Sequence, residues 1–183
     1  MNKIQLFAIS SPSGGGKTTI VKEVLRRHPE LLFSVSATTR KKRKNEVEGK
    51  DYFFKSKDEF LQLIKNKELI EVEELFGNYY GTLLSEVDRA LKNGSKMIFD
   101  IDVKGALSIK KKYPKNSKLI FIKPPDIETL KNRLRDRKTE TEEDLKIRLQ
   151  RISLELNKAK KFDKTIINDK LENAINQTEE EIK

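Results

Sequence analysis

The chain has 183 residues, of which 36% are hydrophobic and 37% are charged, and it contains no cysteine. This length supports one sizeable hydrophobic core but not two ordinary domains with cores of their own. A disulfide framework and a thiolate metal site are excluded, and no apolar run approaches the length of a membrane span. We therefore expect a soluble, cytoplasmic protein with no membrane partner. The net charge of +10 does not by itself indicate a nucleic-acid partner, because the lysines are spread along the chain among Asp and Glu residues.

The first motif is a glycine-rich turn, Ser10–Thr19, which follows the apolar run Ile4–Ile9 and precedes a predicted amphipathic helix. It matches the phosphate-binding pattern G-x-x-x-x-G-K-[ST], except that Ser11 stands at the first glycine. In such a loop the backbone N–H groups point at phosphate oxygens, the lysine reaches the β- and γ-phosphates, and the hydroxyl binds Mg²⁺. Lys17 and Thr18 hold these last two positions. The sequence therefore predicts binding of a nucleoside triphosphate.

The next part of the chain is predicted to be rich in short strands. Alternating β-branched and aromatic residues indicate the strands, and Asp58 is expected to cap a helix. The predicted elements are a strand at Phe33–Arg40, a basic turn at Arg40–Glu46, a strand at Tyr52–Phe54, a helix after Asp58, a strand at Glu68–Glu73, a turn-rich aromatic loop at Phe76–Thr82 and a helix at Leu84–Lys92.

The pattern of a parallel sheet then returns. The apolar strand Lys96–Asp102 ends in two carboxylates, Asp100 and Asp102, at the edge where ligands bind in open α/β sheets. The remaining predicted elements are a helix at Val103–Lys112, a strand at Leu119–Ile122, a helix capped by Asp126, a long helix at Leu145–Ala159, a strand at Lys164–Asn168 and a helix at Leu171–Ile182.

This order of elements predicts an α/β P-loop kinase fold, with a parallel five-stranded core sheet flanked by helices. The predicted core domain is residues 1–33 and 85–183, the predicted acceptor-binding insert is residues 34–84, and the predicted lid is about residues 135–148. A kinase of a phosphorylated acceptor needs such parts, because it must hold two phosphate groups in line and exclude water. The acceptor oxygen is already anionic, so arginines and tyrosine hydroxyls are needed and a general base is not.

Many segments, in one unbroken order, resemble the guanylate kinase family. They are Ser36–Arg40, Arg43, Glu46, Gly49, Tyr52–Phe54, Gly77–Thr82, Asp100–Asp102, Gly105, Arg133, Arg137, Thr139–Glu143, Arg148 and Asn168–Asp169. The resemblance implies transfer of the γ-phosphoryl group of ATP to GMP, and also to dGMP, with Mg²⁺ as cofactor. It leaves open whether the protein is a monomer or a homodimer.

The resemblance also implies a role for each matching residue. ATP is expected to bind Ser13, Gly14, Gly15, Gly16, Lys17, Thr18, Thr19, Arg133, Arg137 and Asn168, the last of these at the adenine. GMP is expected to bind Ser36, Arg40, Arg43, Tyr52, Glu71, Tyr80, Thr82 and Asp102, with Glu71 accepting from the guanine N–H donors. The expected catalytic residues are Lys17, Arg40, Asp100, Arg137 and Arg148, and the expected Mg²⁺ ligands are Thr18 and Asp100.

Other functions remain open at this point. A kinase of a different phosphorylated acceptor, such as a ribose phosphate, would not need the guanine-reading Glu71. A non-catalytic guanylate-kinase-like binding module would have lost the phosphate loop, whereas Lys17 and Thr18 are retained. Nucleic-acid binding through charge alone would weaken steeply with salt.

Single residues have plainer alternatives as well. The run Arg40–Lys44 can be a solvated basic turn, Glu71 a surface residue of a strand, and Arg133 or Arg148 a partner in a surface salt bridge. The sequence also departs from the usual family pattern, in which prolines and glycines stand at the places of Lys42, Asn45 and Lys138.

Overall fold

Five strands form the central sheet of the computed structural model, which describes residues 3–75, 77–130 and 152–183. They are β1 at Leu6–Ser10, β2 at Leu32–Phe33, β7 at Met97–Asp100, β8 at Ser117–Lys123 and β9 at Lys164–Ile167. Their order across the sheet is β2-β7-β1-β8-β9, and all neighbours pair in parallel. The predicted five-stranded parallel sheet is confirmed.

Helices cover both faces of this sheet. These helices are α1 at Lys17–Arg27, α3 at Leu84–Lys92, α4 at Val103–Lys112 and α5 at Leu171–Ile182, whereas α2 at Lys57–Lys65 packs against the second sheet described below. Along β1, Phe7 and Ile9 pack with α1 and α5, whereas Leu6 and Ala8 pack with α3 and α4. Every residue of β1 is therefore buried, as expected for a strand covered on both sides. No helix in the described ranges is long and apolar enough to cross a membrane.

A second sheet of four strands lies between β2 and α3 in the chain, within the predicted insert. Its strands are β3 at Ala37–Thr38, β4 at Phe53–Phe54, β5 at Leu69–Leu75 and β6 at Asn78–Leu83, in the order β4-β3-β6-β5. β3 and β4 are parallel, and β6 is antiparallel to both β3 and β5. Helix α2 buries Phe60, which stacks on Tyr79 of β6 with 5.7 Å between ring centroids.

Two predictions of secondary structure in this region, one of a strand and one of a loop, are wrong. The predicted strand Phe33–Arg40 is in fact two strands, because β2 ends at Phe33 in the central sheet and β3 begins at Ala37 in the second sheet. Of the predicted loop Phe76–Thr82, Phe76 lies outside the described residues and the last five residues belong to strand β6, because their backbone pairs with β3 on one side and with β5 on the other. Both differences arise from pairing between segments that are distant in sequence.

The helix caps agree with the sequence at one of two positions. Helix α2 is capped by Ser56 and not by Asp58: the Ser56 hydroxyl accepts a hydrogen bond from the Glu59 N–H at 3.2 Å, and the Glu59 carboxylate bonds back to the Ser56 N–H. The predicted cap at Asp126 is confirmed, since its carboxylate accepts a hydrogen bond from the Thr129 N–H at 2.6 Å.

The predicted lid, about residues 135–148, lies outside the described residues. So do three of the predicted site residues, Arg133, Arg137 and Arg148. On either side of this part of the chain, residues 127–130 and 152–159 are helical. The roles of the three arginines stay predictions.

The chain passes twice between the two sheets, once through residues 34–36 and once where β6 gives way to α3. Glu86, in the first turn of α3, is 8% exposed, and its carboxylate accepts a hydrogen bond from the Val35 N–H at 3.0 Å. Arg89 donates to the same carboxylate oxygen at 2.9 Å and to the Phe33 carbonyl at 3.2 Å. These bonds connect residues 34–36, which lead from the core to the second sheet, with the start of α3, where the chain returns to the core.

Glu86→Ala is expected to lower the free energy of unfolding by about 1–3 kcal/mol, because it leaves the buried Val35 N–H without its acceptor. Urea denaturation measures this difference. Asp88→Ala is the matched control, since Asp88 is an exposed carboxylate on the same helix, and its effect is expected to stay within about 0.5 kcal/mol. Equal effects of the two substitutions would contradict the role given to Glu86.

Candidate active site

The phosphate-binding loop predicted from the sequence connects β1 to α1. Gly14 and Gly16 have φ angles of 83° and 90°, which residues with a side chain rarely adopt. The Gly15 N–H closes the turn by donating to the Pro12 carbonyl at 2.9 Å. Ser11 is accommodated because Gly15 has no side chain: a Cβ on Gly15 would lie 2.9 Å from the Ser11 Cβ. The loop therefore keeps its turn although its first glycine is replaced.

Lys17, the first residue of α1, forms an ion pair with Asp100, the last residue of β7. The Lys17 ammonium also donates to the Ile101 carbonyl at 3.0 Å, and the two charged side chains are only 17% and 16% exposed. β1 and β7 are adjacent and parallel, so their carboxyl ends bring both groups to one edge of the sheet. A cation suited to phosphate and an anion suited to a metal ion thus lie side by side.

The residues predicted to hold Mg²⁺ fit that ion chemically. Thr18 offers a hydroxyl and Asp100 a carboxylate, and Mg²⁺ prefers such oxygen ligands. Within residues 3–75, 77–130 and 152–183, no group of three or more acidic or histidine side chains could hold a metal ion. In nucleotide-binding enzymes Mg²⁺ is usually bound by one or two protein side chains and otherwise by phosphate oxygens and water.

The other predicted ATP-binding residues surround the same loop. Thr19 is exposed on the first turn of α1, and Ser13 is half-buried in the turn. Asn168, which follows β9, is 4% exposed and donates its side-chain amide to the Gly15 carbonyl at 2.9 Å. The structure thus brings Asn168 to the phosphate loop, and its contact with adenine stays a prediction.

A second group of predicted residues lies around Glu71 on β5. The Thr82 hydroxyl donates a hydrogen bond to the Glu71 carboxylate at 2.9 Å. Burial, and next the charge of Asp102, raises the pKa of Glu71 to about 7, although the hydrogen bonds from Thr82 oppose this shift. A partner that brings N–H donors to this carboxylate would favour its ionised form.

Glu71 lies close to α4 because of a glycine on that helix. Asp102 caps α4 by accepting a hydrogen bond from the Gly105 N–H at 2.7 Å. A Cβ on Gly105 would lie 3.3 Å from Glu71 Cδ, a tighter approach than side chains usually make. Gly105 therefore lets the second sheet approach the core at the point where Glu71 and Asp102 meet.

Ser36 adds a second hydroxyl beside this pair. β3 and β6 are antiparallel and pair Ala37 with Gly81, so the next position along brings Ser36 level with Thr82. Thr82 in turn bonds to Glu71 on the other side. Of the three residues predicted to contact guanine, Thr82 and Glu71 thus lie on adjacent strands, and Ser36 directly precedes the strand on the other side of Thr82.

The predicted phosphate clamp forms a third group. The Arg40 guanidinium donates to both carboxylate oxygens of Glu46, at 2.6 and 3.0 Å. It also lies 5.3 Å from the centroid of the Tyr52 ring, and Tyr52 meets Tyr80 edge-on with 6.1 Å between centroids. Arg40, Tyr52 and Tyr80 are thus brought together, whereas the fourth predicted clamp residue, Arg43, has an exposed side chain.

Glu46 holds this basic segment in place, and the sequence prediction gave it no role. The hydrogen bonds from Arg40 and from the Arg43 N–H, the latter at 2.8 Å, hold the pKa of Glu46 at about 2. The signal in the sequence is its place six residues after Arg40, in a turn whose other charged residues are all basic. Arg40 is therefore preordered by Glu46 and does not behave as part of a merely solvated turn.

Electrostatics link the clamp to the carboxyl edge of the central sheet. Burial raises the pKa of Tyr52, and the charges of Tyr80 and Asp100 add to that rise. Tyr52 of the second sheet is therefore within electrostatic range of the carboxylate that pairs with Lys17 on the core. The ion pair of Lys17 and Asp100 after a phosphate-binding loop, with an arginine and tyrosine cluster near it, is typical of a P-loop phosphotransferase.

Comparison with known proteins gives the family. The sequence model of the family described as guanylate kinase matches residues 3–183. A guanylate kinase of Chlorobium luteolum is 50% identical over 171 residues, which cover 93% of this chain and 87% of that protein. One of Thermotoga maritima is 46% identical over 173 residues, covering 94% and 83%. The crystal structure of guanylate kinase from Anaplasma phagocytophilum matches with a TM-score of 0.80 and 31% identity, over 99% of this chain and 85% of that one. The chain belongs to the guanylate kinase family.

Glu71→Gln is expected to stabilise the protein at pH 8 but not at pH 5. The folded-state pKa of about 7 lies above the ordinary value of 4.5, so the contribution of Glu71 to stability is fully present below pH 4.5 and is lost as the pH rises through 7. We expect the free energy of unfolding of the variant to exceed that of the wild type by about 1–2 kcal/mol at pH 8. Urea denaturation at both pH values measures this difference. Glu74→Gln, which alters an exposed carboxylate on the same strand, is the matched control. The same offset at both pH values for Glu71→Gln would contradict the assignment.

Proposed function

We propose that this protein transfers the γ-phosphoryl group of ATP to GMP, giving ADP and GDP. Membership of the guanylate kinase family supports the reaction. The observation that carries the proposal is the pair of Glu71 and Thr82, whose side chains are 2.9 Å apart, near Asp102, which follows the ion-paired Asp100 by two residues. The transfer needs both a carboxylate that reads the guanine of the acceptor and a lysine that binds the phosphates of the donor.

Guanine recognition is proposed to rest on Glu71, Ser36 and Thr82. Guanine presents N–H donors at N1 and N2, which the Glu71 carboxylate can accept, and the two hydroxyls suit its remaining polar groups. Adenine has an unprotonated N1. It would therefore offer the Glu71 carboxylate no N–H donor at this position and would place the N1 lone pair against it. A site that binds by such buried hydrogen bonds rejects the mismatched ligand by several powers of ten. Asp102, beside Glu71, is proposed to complete the GMP site.

The acceptor phosphate is proposed to bind Arg40, Tyr52 and Tyr80, with Arg43 closing on it from its exposed position. Arginine pairs with phosphate through charge-assisted, often bidentate hydrogen bonds, which fix an oxygen in line with its target. The pairing of Arg40 with Glu46 supports this proposal, because the guanidinium then needs little reordering when the phosphate arrives.

In the proposed transfer, an oxygen of the GMP phosphate attacks the γ-phosphorus of ATP. The new O–P bond forms as the bond from the γ-phosphorus to the bridging oxygen of the β-phosphate breaks, and the electron pair leaves on ADP. No proton needs to be removed from the anionic acceptor. Lys17 is proposed to hold the β- and γ-phosphates, with the N–H groups of Gly14, Gly15 and Gly16 around them.

Mg²⁺ is proposed to be held by Thr18 and Asp100 together with the phosphates of ATP. When bound, it neutralises the charge that develops on the bridging and γ-phosphoryl oxygens. Arg133, Arg137 and Arg148 are proposed as lid residues on the basis of the family resemblance. Cytoplasmic location, use of dGMP and the absence of a nucleic-acid partner stay predictions, and so does the choice between monomer and homodimer.

A kinase of a ribose phosphate and a non-catalytic binding module are the competing functions. The first would leave the buried Glu71 without a ligand group to recognise. The second is disfavoured by the intact phosphate loop, in which Lys17 and both left-handed glycines are present. The two assays that follow separate these functions from the proposed one.

Release of ADP from ATP and Mg²⁺ is expected with GMP and dGMP but not with AMP, CMP or UMP. Glu71→Gln is expected to lower kcat/KM for GMP by about 100-fold or more and to narrow the preference for GMP over AMP, because an amide can pair with adenine. Glu74→Gln is the matched control and should leave both parameters unchanged. Turnover with a ribose phosphate and not with GMP would establish the first competing function.

Lys17→Met is expected to reduce kcat by about 100- to 1,000-fold, the usual effect of removing one group that stabilises charge in the transition state. GMP binding, measured by calorimetry, should persist because Lys17 is not in the GMP site. If the wild type binds GMP but shows no more turnover than this variant, the protein is a binding module.

A further inference from the structure

Asn168 is held rigidly at the edge of the core sheet, 153 residues away in sequence from the glycine that its side chain contacts. Its backbone N–H donates to the Lys123 carbonyl at 2.8 Å, which continues the pairing of β8 with β9 beyond the last residue of β9. Only 4% of the residue is exposed. The sheet therefore fixes the point from which the Asn168 side chain reaches the phosphate loop.

The contact with the loop needs a side-chain donor at Asn168 and the absence of a side chain at Gly16. The Asn168 amide nitrogen donates to the Gly15 carbonyl at 2.9 Å, inside the protein. A Cβ on Gly16 would lie 2.3 Å from the same nitrogen, so no side chain can stand there while the bond exists. Gly16 is therefore needed for two reasons: its backbone is left-handed, and a side chain there would prevent the contact with Asn168.

This bond fixes the orientation of one peptide group. The described part of the chain contains no cis peptide bond, and in a trans peptide the C=O and N–H vectors point in opposite directions. With the Gly15 carbonyl turned to Asn168, the Gly16 N–H points away from Asn168. This peptide group joins two glycines, whose φ and ψ are the least restricted of all residues, so nothing local prevents it from rotating.

We propose that Asn168 is a positioning residue for the phosphate loop: its amide holds the Gly15–Gly16 peptide in the orientation that presents the Gly16 N–H to phosphate oxygens. This inference rests on the triphosphate-binding role proposed above. It gives Asn168 a function that does not involve the base, and so it differs from the contact with adenine that the family resemblance implies. Asn168 acts through the loop on any ligand that the loop binds.

The test compares ligands that share the phosphates but not the base. Dissociation constants of the Mg²⁺ complexes of ATP, ITP and inorganic tripolyphosphate are measured by calorimetry for the wild type, Asn168→Ala and Asn168→Ser. We expect all three constants to rise by the same factor, about five- to tenfold, since the loss of one buried hydrogen bond removes one constraint on the loop. GMP affinity, which does not depend on this loop, reports whether each variant is folded.

Asn116→Ala is the matched control, because the Asn116 amide also donates to a backbone carbonyl, that of Lys3, at 3.4 Å. It should leave all the dissociation constants unchanged. If tripolyphosphate binds the Asn168 variants as tightly as the wild type while ATP binds them less tightly, Asn168 contacts the base and the inference is overturned. It is overturned equally if no constant changes in a variant that retains GMP affinity. A wild type that binds neither ATP nor tripolyphosphate would instead contradict the proposed function.

Discussion

The meeting of Lys17 and Asp100 at the carboxyl edge of the central sheet is the interaction on which the rest of the site depends. It exists because β1 and β7 are adjacent and parallel, so the residues that follow them emerge at the same edge. The parallel strands of this sheet are joined by connections that contain helices, and these helices cover both faces of the sheet and bury β1 completely. The hydrophobic core and the charge pair are thus two results of one topology, because the core fixes the strands and the strand ends carry the charges.

The second sheet shows where function conflicts with stability. Glu71 is a carboxylate whose burial raises its pKa to about 7, and a neutral or apolar residue would be easier to accommodate there. Such a group is worth retaining if a ligand supplies the missing N–H donors, since its recognition then depends on groups that only the correct base offers. Glu46 shows the opposite arrangement, because its pairing with Arg40 makes its charge favourable in the absence of any ligand.

Much of this structure could be predicted from local patterns. The continuous apolar run of β1 and the amphipathic stretches of α3 and α5 give the correct element types, and the loop motif with its glycines identifies the phosphate-binding edge. The wrong predictions concern which strands pair with each other. Nothing in the alternation of Phe33–Arg40 marks the change from one sheet to another, because both halves have the same period.

The same limit applies within the site. Glycines and aromatic residues around β6 favour a turn locally, yet pairing with two distant strands makes this segment a central strand of its sheet. The contact between Asn168 and Gly15 joins residues 153 positions apart. Motifs can therefore indicate which residues take part, whereas their contacts follow only from the assembled sheets.

The hydrogen bonds of Glu86 have a mechanical consequence. The segments that join the core to the second sheet run side by side at Val35 and at the start of α3, and they are bonded to each other. Two neighbouring connections that are bonded to each other restrain the second sheet. Rotation about the line that joins the two connections is the least restrained motion, and rotation about other axes is resisted. We therefore expect any movement of the second sheet relative to the core to be mainly a rotation about this line. The architecture of the joint would then restrict the direction in which the acceptor site approaches the phosphate loop.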